Sequence, residues 1–155
     1  MMLSAFRFPG VKKGEFMDWM LMPYRRYFDF SGRSRRKEYW MFLLLFVIVY
    51  AIGFGLMFSG GYSMNPATGA SQPGGTFYIG GGILGIFVLG SLIPAIAVQV
   101  RRFHDQDKSG WFVLLNFIPY IGGLVVLVFM CLEGTRGPNR FGADPKDPSG
   151  AEVFS

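Results

Sequence analysis

Two long uncharged stretches dominate the pattern of apolar and polar positions. No Asp, Glu, Lys or Arg occurs between Trp40 and Val100, or between Trp111 and Leu132. A membrane-crossing helix requires roughly 18 or more predominantly apolar residues, and both stretches exceed that length. Inside the first one, "SGGYSMNPATGASQPGGT" at 59–76 is rich in Gly and carries two prolines. It reads as a flexible loop with no core of its own, separating two helices. Spans are therefore predicted at about 40–58, 77–100 and 111–132. Residues 1–39 and 133–155 flank this membrane domain.

The first predicted span holds 19 residues, which at about 1.5 Å each reach roughly 28 Å, close to the hydrocarbon thickness of a bilayer. Ala51, Gly55 and Ser59 recur every four residues and form a small-residue stripe suited to close helix contact. The second span enters through "GGGILG", with the Gly81-x-x-x-Gly85 spacing, and Pro94 is expected to kink it. Pro119 and Gly122-Gly123 interrupt the third. As one helix it crosses. As two arms it is re-entrant, since about 11 residues cannot span; crossing is the expectation. The turn-rich tail after Leu132 reads as loop or disorder.

Composition agrees with this pattern. Hydrophobic residues make up 51% of the 155-residue chain, charged residues only 16%, and the mean hydropathy is +0.34. Soluble domains carry about 25% charged residues. The fold class expected is thus an all-α integral membrane protein with about three transmembrane helices and a basic, partly interfacial N-terminal segment. In that segment "FMDWMLMPYRRYF", 16–28, is predicted as a short headgroup-level helix with Trp19, Leu21 and Met22 dipping inward, interrupted at Pro23. Ser34 is a candidate N-cap for the helix that follows. About 39 residues precede the first span and no A-x-A site follows it, so a cleaved signal peptide is not expected. The lone Cys131 excludes an intramolecular disulfide and reads as a small packing residue.

The net charge of +5 is unevenly distributed. Arg33, Arg35, Arg36 and Lys37 crowd the entrance to the first span, loop 59–76 has no basic residue, and Arg101, Arg102 and Lys108 follow the second span. Cytoplasmic loops are enriched in Lys and Arg, which puts the N-terminus in, the first loop out and the second loop in. Three crossings then leave the tail periplasmic. Beside a span, "RSRRK" reads as topogenic and lipid-binding, and no nucleic-acid partner is expected.

The stretch "RRFHDQDKSGW", 101–111, holds the only histidine. A catalytic reading would make His104 a base, Asp105 its orienter and Ser109 a nucleophile. Adjacent helical residues point about 100° apart, so His104 and Asp105 do not face each other. Cys131 lies at the other end of the third span, so no His/Cys metal site can be assembled, and no nucleophile elbow or phosphate loop is present. A structural reading uses every residue. Arg101 and Arg102 leave the bilayer where anionic phosphates favour each by about 1 kcal/mol. Arg101 and Asp105 have i,i+4 spacing, Asp107 or Ser109 caps the next helix, and Trp111 sits at the interface. His104 bonds a nearby carboxylate or carbonyl. Glu38, in the basic cluster at the same depth, is expected to pair with Arg35, Arg101 or Arg102 and tie the first span to the second.

Arg33, Arg36, Glu38, Arg101, Arg102, His104, Asp105, Ser109 and Trp111 are thus the candidate corner for lipid headgroups or a partner. Asn116 and Gln99 are expected to make interhelical hydrogen bonds. With no charge inside a span, a proton- or ion-coupled transporter is disfavoured.

"FSGRSRRKEYW" at 30–40, "IPAIAVQVRRFHDQDKSGWF" at 93–112, "IPYIGG" at 118–123 and "GTRGPNRFGADP" at 134–145 together resemble the bacterial inner-membrane proteins of YhaH type, the family catalogued as domain of unknown function 805. The resemblance covers roughly residues 24–147. It implies a multi-pass inner-membrane protein and brings no catalytic residue, substrate or cofactor. The expected function is non-enzymatic, a membrane protein whose charged cytosolic corner binds anionic lipid headgroups or a partner protein. The alternative is a pore or carrier subunit, a homo-oligomer assembled along the glycine and small-residue stripes.

Overall fold

The computed structural model describes residues 16–146. Helix α1 spans Phe16–Arg25, α2 Arg36–Ser59, α3 Gly75–Asp105 and α4 Gly122–Cys131, with a 3₁₀ helix at Gly110–Phe117 between the last two. Two short strands, β1 (Tyr62–Met64) and β2 (Ser71–Pro73), pair antiparallel with Tyr62 opposite Pro73. The segments 1–15 and 147–155, at the two ends of the expected N-terminal and tail regions, lie outside the described residues.

Helices α2 and α3 form an antiparallel pair, and each is long and apolar enough to cross a membrane. Only 11% of the most apolar 18-residue stretch of α2 is buried, and 28% of that of α3. Such helices in a water-soluble fold would bury their apolar residues, whereas Val47, Ile52, Phe54, Ile86 and Leu89 face outward here. At 31 residues α3 is about 46 Å long, more than a hydrocarbon core of about 30 Å. Its charged last turn, beyond Val100, therefore projects past the apolar zone.

Close approach of α2 to α3 depends on Gly53 and Gly80. A Cβ on Gly80 would come within 2.5 Å of the Gly53 carbonyl oxygen, and one on Gly53 would strike the Leu84 side chain. Helices in lipid gain by such backbone proximity because no hydrophobic force drives them together. The stripe expected from sequence does not make this contact: around Gly55, Gly81 and Gly85 there is open space. Helix α3 runs on through Pro94. The 59–76 connection is an exposed β-ribbon rather than a structureless loop. Asn65 Oδ1 accepts from Ala67 N and Gly69 takes a positive φ in its turn. It has no core of its own, with Tyr62 and Met64 more than three-quarters exposed.

Helix α1 buries Met20 and Pro23 and continues through Pro23 to Arg25. Tyr24 packs edge-on against Phe42 of α2 and its hydroxyl bonds Ser91 Oγ of α3. Leu21, expected to dip toward the bilayer, is 37% exposed on the helix surface, where lipid can reach it.

The largest departure lies in 110–131. In place of one crossing helix there is a hairpin: the 3₁₀ arm, a turn through Tyr120 at φ +65°, and α4. Arms of eight and ten residues reach about 16 and 15 Å, half a hydrocarbon thickness. Gly122 permits the turn, since a Cβ there would overlap the Leu115 carbonyl. Both hairpin ends meet the last turn of α3. Gln106 Nε2 donates to the Phe129 carbonyl at 2.6 Å, and Phe103, Val126 and Met130 form a small core. The tail then stays at this end, where Thr135 N donates to the Asp105 carbonyl at 2.8 Å. The expectation that the two flanks lie on opposite sides is therefore not met: the segments 26–35 and 133–146 meet at one end of the α2–α3 pair. Cys131 is exposed rather than packed.

Candidate functional site

The last turn of α3, the loop entering α2 and the tail converge on a cluster of buried charge. Arg33 is 6% exposed, Glu38 2%, Asp105 4%, and Arg101 and Arg102 not at all. Asp105 Oδ1 accepts from Arg33 Nε at 2.9 Å, and its Oδ2 pairs with Arg102. Arg101 Nη2 reaches Glu38 Oε1 at 2.8 Å, which links α3 to α2 as expected of Glu38. Asp105 thus pairs with Arg102 at i+3 spacing and not with Arg101. Both oxygens of Asp105 are occupied by Arg33 and Arg102, and Arg101 goes to the carboxylate of Glu38 on the neighbouring helix.

Three guanidiniums face two carboxylates, so one positive charge is left to dipoles. Backbone carbonyls supply them. Arg33 donates to the carbonyls of Thr135 (2.5 Å) and Gly137 (2.6 Å), Arg101 to Asp29 and Arg102 to Leu132. Each arginine therefore ties together a different pair of segments, which a planar multi-donor group does better than lysine. Ser34 does not cap α2; Arg35 occupies that position, and the Ser34 hydroxyl donates to Glu38 Oε2 at 2.7 Å. Gly134 lies flat on Asp105, where a Cβ would come within 1.9 Å of Oδ2.

Arg36 clamps the end of α4, donating to the Cys131 carbonyl at 3.0 Å and to Glu133 at 2.5 Å. His104 turns away from Asp105. Its Nδ1 lies 3.2 Å from the Gly32 carbonyl and its ring stacks on Phe141, centroids 3.9 Å apart. Ser109 caps the 3₁₀ helix, its Oγ accepting from Trp111 N at 3.4 Å. Trp111 is 77% exposed. His104, Asp105 and Ser109 thus point to three different partners and form no relay. Deeper in, Asn116 Nδ2 donates to Gln99 Oε1 at 2.8 Å, so the two polar residues expected to bond between helices bond each other.

In the flanking loops, burial would raise the Asp29 carboxyl. Hydrogen bonds from Ser31 and Arg26 outweigh it and hold the group below the usual carboxylate range. Asp144 is likewise lowered against the effect of burial, by the backbone amides of Lys146 and Gly137.

The candidate corner accordingly divides. Arg33, Glu38, Arg101, Arg102 and Asp105 are internal, so the two span-end arginines expected to meet lipid phosphate are enclosed instead. His104, Ser109 and Trp111 line a neighbouring cleft of about 540 Å³. The tail residues Thr135, Asn139 and Phe141 belong to the site, although the turn-rich sequence there predicts only loop. Asn139 Nδ2 donates to the His104 carbonyl at 2.9 Å. The pointer to them lay in "GTRGPNRFGADP", a block with two Arg, Asn and three Gly but no hydrophobic period.

A model of a protein family of unknown function, DUF805, matches residues 27–143. The chain is 45% identical over 130 residues to the inner membrane protein YhaH of Escherichia coli strain K12, covering 84% of this chain and 98% of that one. It is 43% identical to the inner membrane protein YhaI of the same strain, covering 84% and 97%. No solved structure matches the chain.

Proposed function

Because the chain belongs to the DUF805 family, we propose that it is a multi-pass inner-membrane protein without catalytic activity, whose cytosolic corner binds anionic lipid headgroups. In this reading α2 and α3 cross the bilayer, and the hairpin 110–131 dips into one leaflet and returns, which leaves both described flanks on the cytosolic side. The distribution of positive charge supports that orientation, since loop 60–74 carries no Lys or Arg.

The observation that carries the lipid reading is the state of Arg35 and Lys37. They stand at the entrance to α2 over the Trp19 ring, at 6.0 and 5.1 Å, with no carboxylate partner among the described residues. Cations left over at the depth where a span ends are placed to meet lipid phosphate. The test extracts the protein with its surrounding lipid in polymer nanodiscs. The variant carrying Arg35→Ala and Lys37→Ala loses about half of its phosphatidylglycerol enrichment. Unchanged enrichment sinks the proposal, and capture of a protein at this face would replace it with a partner site.

A second reading, an oligomeric pore or carrier subunit, is favoured by one observation. Gly55, Gly81 and Gly85 face outward with room beside them, where another copy's helix could approach closely. Cross-linking in membranes that is lost in Gly81→Leu would support it.

A further inference from the structure

The cleft beside the buried charges is open to a ligand. Phe30, Val100, His104, Ser109, Trp111 and Phe141 line it, and its volume is about 540 Å³. It sits where the apolar part of α3 gives way to the charged turn. Its walls are aromatic and aliphatic, and its polar groups are few and specific. Since the Gly32 carbonyl can only accept, the neutral His104 ring carries its proton on Nδ1, leaving Nε2 as an acceptor. Nε2 lies against Gly110, where a Cβ would approach it to 3.1 Å, and has no hydrogen-bond partner among the described residues. The Ser109 hydroxyl can both donate and accept.

Two features indicate what fills the space. Leu92, Ile96, Val100 and His104 follow one another at four-residue intervals, and so share one face of α3. Leu92 is 56% and Ile96 37% exposed, so an apolar track leads from the cleft into the depth of the bilayer. On the other side of Trp111 a second hollow of about 380 Å³ is lined by Leu114, Leu115 and Ile118. At the polar end, Arg140 lies 4.8 Å from the Phe141 ring and pairs with Asp107 at 3.1 Å, a partly exposed plus–minus pair near the cleft. A zwitterionic headgroup matches the charges at the mouth of the cleft, its acyl chains match the track, and the accessible Nε2 acceptor is free to take a donor.

We infer that this cleft holds a membrane glycerophospholipid whose headgroup ends in a hydrogen-bond donor, with ethanolamine as the representative. Its ammonium donates to His104 Nε2 among the aromatic rings, its phosphate meets Arg140, and a chain lies along Leu92 and Ile96. The inference rests on the reading of this corner as lipid-binding. It differs in naming a specific cleft rather than general attraction of anionic lipid to surface cations.

Native mass spectrometry of the full chain at pH 7.5 tests it, with phosphatidylethanolamine and phosphatidylcholine of identical chains as probes. Both are zwitterionic, so surface charge does not separate them; only choline lacks a donor. The ethanolamine lipid is retained about tenfold better, the size expected for one hydrogen bond to a charged donor. His104→Phe keeps the stack on Phe141 and abolishes the preference. Trp111→Ala, at an exposed position, weakens retention of both lipids and leaves the fold intact. Glycerophosphoethanolamine, which has no chains, competes at least about a hundredfold more weakly. Equal retention of the two lipids, a preference surviving His104→Phe, or equal potency of the chainless headgroup overturns the inference. The Arg35→Ala, Lys37→Ala variant retains the ethanolamine preference whether or not it loses phosphatidylglycerol, so the two proposals fail separately.

Discussion

At the Glu38 end of the α2–α3 pair, the largest fully buried side chains are Arg101 and Arg102, held by carboxylates and carbonyls. At the Gly60 end no charged side chain is present among the described residues, and the helices meet through Gly53, Gly80 and the Gly60–Thr76 contact. One end is joined by directional bonds between segments far apart in sequence, the other by the absence of side chains. The contrast follows from the solvent each end meets. Apolar packing adds little inside a bilayer, so the spans associate through close contact, while at the water boundary a charged cluster can exclude solvent and fix which segments meet. Such a cluster specifies geometry, and its sensitivity lies in the loss of any single member, which strands a buried charge.

The first way to break this comparison is Asp105→Ala. It leaves Arg33 and Arg102 enclosed without their shared carboxylate, and removing one partner of a buried pair costs about 3–5 kcal/mol. Thermal unfolding in detergent should show a large fall in Tm, and limited proteolysis should open the tail after Leu132. Glu133→Ala, whose side chain is 58% exposed, should change stability by no more than about 1 kcal/mol. Equal effects of the two would mean that the buried cluster is not what holds this end.

Glycines give the matching test at the other end. Gly80→Leu drives a side chain into the Gly53 carbonyl and Met57, and overpacking of this kind costs about 1–3 kcal/mol. Gly81→Leu, one position on, enters open space. A cysteine cross-link between α2 and α3 near the ribbon should therefore fail in the first variant and form in the second. Similar yields would remove the distinction between an inner and an outer glycine face.

These two ends were unequally legible in the sequence. The paired spans followed from their uncharged length, and the α2–α3 tie from Glu38 standing in a basic cluster at the depth of Arg101. Gln99 and Asn116 found each other because polar groups inside spans have few alternatives. The hairpin was hidden because 22 uncharged, largely apolar residues, 111–132, have the length of a crossing helix; Pro119, Gly122 and Gly123 marked its turn without deciding it. The enclosure of Arg101 and Arg102 was hidden for another reason. Beyond their carboxylates, their partners are the backbone carbonyls of Asp29 and Leu132, which every residue type presents equally. Nor does spacing along α3 reveal that Glu38 competes with Asp105 for Arg101.

The smallest expected effect sharpens the comparison at the edge of the charged end, where burial gives way to water. Asp29 lies in the loop whose carbonyl receives Arg101, and its side chain is 32% exposed. Its folded pKa is depressed below the ordinary 3.8 by Ser31 and Arg26 against the effect of burial. A depressed carboxyl adds stability that is fully present above 3.8 and is lost as pH falls through the lower folded value. Asp29→Asn should therefore lower stability by a constant amount at neutral and mildly acidic pH, and the gap to the wild type should close below 3.8. Solvent screening of so exposed a group keeps that gap well under the cost of Asp105→Ala. A difference that persisted unchanged to about pH 2 would assign the role of Asp29 to its shape and neutral hydrogen bonds, and would leave the electrostatic contribution of this end wholly to the buried pairs.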